Sequence, residues 1–152
     1  MSKNKYIKYT DQGLLLNVVT GEVSIIKAII DSGVSIEAKD SRKWTALHYA
    51  VDNGRAEVVE LLLARGASVD EQTLVGRTSL HIAALRKHEE IARMLIDAGA
   101  SLDIKDHYAA KATPADYLKE CLPELYSELP VAQHHSITAV TGDVDDISFC
   151  LD

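Results

Sequence analysis

The chain contains no apolar run approaching the roughly 18 residues that a membrane-crossing helix needs, and its basic first eight residues lack the apolar stretch of a secretory signal. It has only two cysteines, Cys121 and Cys150, without metal-ligand spacing, which points to a reducing compartment with the cytoplasm as the default. It has no glycine-rich phosphate loop, since Gly54 and Gly76 are single turn glycines. Its acidic residues are scattered along helical segments, and no pair stands out for acid–base work. Neither cysteine has a marked histidine partner that would activate it as a nucleophile. These absences exclude the common sequence signatures of catalysis, and no enzyme activity, cofactor or metal is expected.

A basic excess is also missing. The 152 residues carry a net charge of −7, and from Thr113 onward a single base, Lys119, faces eight acids. Residues 1–112 balance to zero. Nucleic acid is a poor partner for such a chain, because neutralising phosphates requires a basic stripe. With no nucleic acid and no membrane expected, a composition that is 47% hydrophobic and 26% charged describes an ordinary soluble domain with a sizeable core.

What the chain does have is repetition. Thr45-Ala46-Leu47-His48-Tyr49-Ala50 returns as Thr78-Ser79-Leu80-His81-Ile82-Ala83, a step of 33 residues. The same step carries Leu61–Asp70 onto Met94–Asp103. A fixed period of this size means stacked supersecondary units rather than one globular core. Within a unit, Thr45 is an N-cap candidate, Leu47, Ala50 and Val51 form an apolar stripe, and Asn53-Gly54 stops the first helix. A second helix follows from Ala56 to Ala64, apolar on a broad face, and Gly66 ends it.

These residues resemble the ankyrin repeat: a Thr-Pro-Leu-His start, two small residues, a glycine turn, a Leu-Leu pair, then Gly-Ala and an Asn or Asp. Residues 41–103 match over two full units. Ala46 and Ser79 replace the motif proline, Lys87 replaces the glycine between the helices, and Asp70 and Asp103 stand for the asparagine. Weaker copies flank the pair. Leu16–Glu22 lies one period upstream, with Leu14-Leu15 where the Leu-His motif would be, and Thr113-Pro114 restarts the pattern after a step of 35. The reading is an all-α ankyrin-type solenoid of paired antiparallel helices with finger-like turns. It forms a single domain, residues 1–152, with units at 9–40, 41–73, 74–106 and 107–133 and a partial unit at 134–152. Pro123–Leu129 is expected as the second helix of the fourth unit.

The resemblance implies that His48 and His81 bridge neighbouring turns by hydrogen bonds to backbone, and that a protein partner meets the concave face. Carried over unit by unit, that face offers Ser41, Arg42 and Trp44 on one finger, with Tyr49, Asp52 and Asn53 behind it. The next unit offers Leu74, Val75 and Arg77, with Ile82, Leu85 and Arg86. The third offers Tyr108 and Lys111, with Tyr117 and Glu120. Trp44, the only tryptophan, is the expected anchor, since Trp, Tyr and Arg dominate interface energetics. The expected function is binding of another protein by a monomer. The alternatives are an inhibitor that blocks a partner enzyme, or the recognition arm of a larger enzyme or effector.

Overall fold

The structure, a computed structural model, describes residues 9–130. They form eight helices in four pairs: α1 (Asp11–Thr20) and α2 (Val23–Asp31), α3 (Ala46–Asp52) and α4 (Ala56–Ala64), α5 (Ser79–Leu85) and α6 (Glu89–Asp97), α7 (Pro114–Cys121) and α8 (Pro123–Glu128). The expected partial unit at 134–152 lies outside the described residues. The first helices pack in one row, α1 on α3, α3 on α5 and α5 on α7, and the second helices in another, α2 on α4 and α4 on α6. A continuous apolar core runs between the rows through Leu14, Ile26, Leu47, Leu62, Leu80, Leu95 and Leu118. Short helices such as α3 and α5 are marginal by themselves and gain their stability from this shared burial.

Local sequence sets each helix start. Thr45, Thr78 and Thr113 occupy extended N-cap positions. At the first two, the residue three places on is a histidine whose Nδ1 accepts the threonine backbone N–H, at 3.0 Å for both His48 and His81. With Nδ1 accepting, the ring proton sits on Nε2. His48 donates it to the Glu71 carbonyl at 2.9 Å, and His81 to the Ala112 carbonyl at 3.1 Å. Each imidazole thus caps its own helix and ties it to the next finger along the chain, as the resemblance implied. At the third start the partner is Asp116, which accepts from the Thr113 backbone and hydroxyl at 2.8 Å each and has no donor to pass onward. In the first unit the period puts Leu15 at the histidine position, and Thr10 caps a longer α1 through the Gly13 amide at 3.0 Å. Arg55 compensates there: its guanidinium donates to the carbonyls of Asn17 (3.3 Å), Val18 (2.7 Å) and Gly21 (2.6 Å), closing the C-terminal end of α1 from the neighbouring unit.

The turn between α5 and α6 is strained where the motif glycine is missing. Lys87 takes the glycine position with φ 59°, where Gly54 one unit earlier has φ 69°. The last pair is less regular. α8 has six residues, one fewer than expected, and meets α6 through an Arg93–Glu128 ion pair at 2.6 Å. A cleft of about 330 Å³ lies beside it, lined by Ile96, Leu125, Leu129 and Pro130 among others. Cys121, buried at the end of α7, is not a free thiol, so the cysteines do not carry the expectation of a reducing compartment. No helix among the described residues is long and apolar enough to cross a membrane.

Two outcomes are expected. Burial outweighs the hydrogen bonds to the Glu71 and Ala112 carbonyls, holds His48 and His81 neutral and pushes both pKa values from 6.5 down to about 4. Between those values the unfolded chain binds more protons than the folded one, so stability falls as the pH falls through that window and is flat above it on this account. Each histidine then removes up to about 3 kcal/mol near pH 4. Urea midpoints measured from about pH 7 to about pH 4 check this, and a midpoint that does not fall contradicts it. Separately, Lys87→Gly relieves a left-handed L-residue and should raise stability by about 0.5–1 kcal/mol, read as a higher melting temperature.

Candidate functional site

Between each pair of units the chain projects a finger whose geometry follows from a few side chains. In the first finger, the Asp40 amide donates to the Trp44 carbonyl at 3.1 Å and the Lys43 amide to the Asp40 carbonyl at 3.0 Å. Lys43 turns the tip with φ 59°. The Asp40 carboxylate accepts the Arg42 and Trp44 amides at 2.9 Å each, and its second oxygen accepts the Tyr49 hydroxyl from α3. Burial opposes the charge on Asp40, but the Tyr49 hydrogen bond and the two amides outweigh it and hold the carboxyl below its usual range. Arg42 completes the arrangement. Its Nη2 donates to the Tyr49 hydroxyl at 2.8 Å, and its guanidinium carbon lies 4.9 Å from the centre of the Trp44 ring and 5.9 Å from that of Tyr49. Trp44 in turn rests 5.1 Å from Tyr49 and 6.0 Å from His48.

The third finger repeats this device with parts drawn from two units. Asp106 is buried and accepts the Tyr108 and Ala112 amides at 3.2 Å each, while the Tyr117 hydroxyl donates to it at 2.7 Å. The arginine comes from the preceding finger: Arg77 Nη2 donates to the Tyr117 oxygen at 3.2 Å, and its guanidinium carbon lies 4.7 Å from the Tyr108 ring centre and 5.6 Å from that of Tyr117. Burial, then the Asp106 contact, pushes the Tyr117 hydroxyl up to about 12. Arg77 Nε is buried without a hydrogen-bond partner, and the flanking ring faces are what meet its charge. In the middle finger Thr73 replaces the aspartate and Ile82 the tyrosine, and the Thr73 hydroxyl accepts the Arg77 amide at 3.2 Å. Backbone bonds join the tips: Leu74 N–H to the Arg42 carbonyl and His107 N–H to the Val75 carbonyl, both 2.9 Å. Gly76 is required at the middle tip, where φ is 79° and a Cβ would stand 2.5 Å from the His107 ring and 2.8 Å from its backbone nitrogen.

Most of the residues expected on the concave face reach the surface. Ser41, Arg42, Asn53, Arg86, Lys111 and Glu120 are exposed, and Trp44, Tyr49, Asp52, Arg77 and Leu85 are half-buried. Leu74, Val75 and Tyr108 keep 58%, 39% and 47% of their surface. Arg86 and Asp52 pair across units at 2.7 Å. Two of the expected residues need correction. Ile82 and Tyr117 are 3% and 1% exposed, although the same register leaves Tyr49 half-buried; neither can offer a side chain to a partner. Trp44 is half-buried against Tyr49, His48 and Arg42. Sequence reasoning missed Leu16, 61% exposed at the register of Tyr49, which the period of 33 points to directly. It also missed Asp40 and Asp106, which the same period pairs with each other through Thr73.

A family model for ankyrin repeats matches residues 14–106 as three copies. The chain belongs to the ankyrin repeat family. A comparison with curated proteins gave no match. Ankyrin repeats form helical solenoids, are typically non-catalytic and are generally protein–protein interaction modules. The α7–α8 pair lies beyond the matched span, yet α7 packs on α5 as each ankyrin first helix packs on the one before.

The two Asp–Tyr–Arg clusters differ in burial, and the difference should show in stability. Tyr117→Phe leaves the buried Asp106 and Arg77 short of a partner and should cost about 2–3 kcal/mol, whereas Tyr49→Phe, with water at hand, should cost about 1 kcal/mol or less. Urea unfolding of both variants checks the order, and equal losses contradict it.

Proposed function

We propose that the chain acts as a monomer that docks a partner protein on the face built from the finger tips and the exposed flank of the first helices, without chemistry of its own. The observation that carries this reading is the apolar ridge of Leu74, Val75 and Tyr108, left exposed on fingers that are already joined by backbone hydrogen bonds. Apolar side chains left in water on a rigid surface mark an interaction site. The fingers are fixed before binding, so a partner need not order them, and that preserves affinity. Arg42 and Arg77, stacked on aromatic rings, add charge-assisted bonds at the edge. Trp44 contributes by supporting Arg42 rather than as a free anchor, so Trp44→Ala tests folding of the finger as well as binding.

The cleaner test is Leu74→Glu with Val75→Glu, which changes tip side chains whose neighbours contact them through backbone. Binding of a cross-linked or co-purified partner should fall by at least about tenfold. The control is Glu57→Lys with Glu60→Lys on the outer face of α4, which should bind as the wild type does. Equal binding by the tip variant, or a loss confined to the α4 variant, places the interface elsewhere.

A further inference from the structure

We propose that the partner segment taken by the fingers is acidic, with apolar side chains among its carboxylates; this rests on the reading of the concave face given above. The tips, residues 41–44, 74–77 and 107–111, hold four bases and no acid, in a chain whose net charge is −7. The acids closest to the tip arginines are turned inward. Asp40 is engaged by two amides and the Tyr49 hydroxyl and lies 3.7 Å from Arg42 Nε, and Asp106 is buried under Tyr117. Glu71, lower on its finger, is paired with Lys39 at 2.6 Å. Even with Asp40 and Asp106 counted in full, the tips remain positive.

The arginines are also set for carboxylates. Each is held over an aromatic ring and bonded to a tyrosine oxygen, so the guanidinium is fixed before an anion arrives. A fork held in place loses little rotamer freedom when it meets a carboxylate. Lys43 and Lys111 stand at φ 59° and 49°, the position that Gly76 fills in the middle finger without strain. Two of three tips thus carry a cation where the backbone favours glycine. Between them the exposed Leu74, Val75 and Tyr108 call for apolar cover, which a nucleic acid backbone does not supply.

A random linear peptide library displayed on phage is the probe, selected against the whole chain. The proposal expects enriched peptides that are rich in Asp and Glu with interspersed apolar residues. A synthesised winner should bind about tenfold or more weakly to the Lys43→Glu/Lys111→Glu variant, and should weaken as NaCl rises. Circular dichroism checks that the variant folds, and the salt series on the unaltered chain stands if it does not. Neutral or basic winners that are lost on Leu74→Gln overturn the acidic partner but leave the concave interface intact. Winners indifferent to every tip substitution overturn both. Tighter binding of a duplex DNA oligonucleotide than of any peptide overturns the proposal, as does concentration-dependent self-association in sedimentation that the tip variant abolishes.

Discussion

A neutral imidazole wedged between two units is the interaction on which this architecture turns. His48 and His81 each accept from the backbone that starts their own helix and donate to a carbonyl of the next finger. One side chain therefore satisfies a helix start and couples neighbours, which a solenoid needs because no unit buries enough surface to fold alone. The device works only with the ring uncharged, and burial enforces that state. It acts in the middle of the array and nowhere else among the described residues. Leu15 has no donor to offer and Asp116 can only accept, so other groups take over at those positions. Arg55 closes the end of α1 from the second unit, and Arg77 reaches forward to Tyr117 in the fourth.

The fingers show how one backbone device tolerates different chemistry at one register. Positions 16, 49, 82 and 117 are equivalent in the repeat and hold Leu, Tyr, Ile and Tyr. Where the residue is tyrosine, an aspartate in the finger receives its hydroxyl and an arginine sits over the rings. Where it is isoleucine, Thr73 replaces the aspartate and its hydroxyl accepts the Arg77 amide. Charge, hydroxyl and ring thus appear together or not at all, as expected when an isolated buried carboxylate or guanidinium would carry a large desolvation penalty. The outcome at the surface is a row of tips whose cations are locked from beneath.

Much of this was legible in the sequence, and the parts that were not share a cause. The period of 33, the threonine helix starts, the Ala56–Ala64 helix and the bridging histidines follow from local pattern, because ankyrin contacts are between residues close in sequence or one period apart. The strained turn at Lys87 followed from a missing glycine. Burial at Ile82 and Tyr117 did not follow, since it depends on how far a finger folds back over its helix. The finger turns are set by Asp40, Thr73 and Asp106, polar residues in loops that carry no periodic apolar signal. Trp44 was legible as unusual but not as spoken for, because its neighbours Tyr49 and His48 meet it only after the finger has turned.

The charge of the chain looks at first like an argument against cationic fingers. It is not, because among the described residues the acids from residue 113 onward, Asp116, Glu120, Glu124 and Glu128, lie on α7 and α8 and not at the tips. Arg42, Lys43 and Arg77 sit one to two units before those helices, and of the four tip cations Lys111 alone stands next to them. Adjacent helices in a stack are roughly 8–10 Å apart, and at physiological ionic strength the field of an exposed charge decays over about 8 Å. A group touching the first two fingers therefore responds chiefly to those fingers, whereas in dilute buffer, with a screening length of roughly 30 Å, it would respond to the whole molecule. Net charge governs how this protein behaves as a particle; the local arrangement of Asp, Tyr and Arg governs what its fingers can hold.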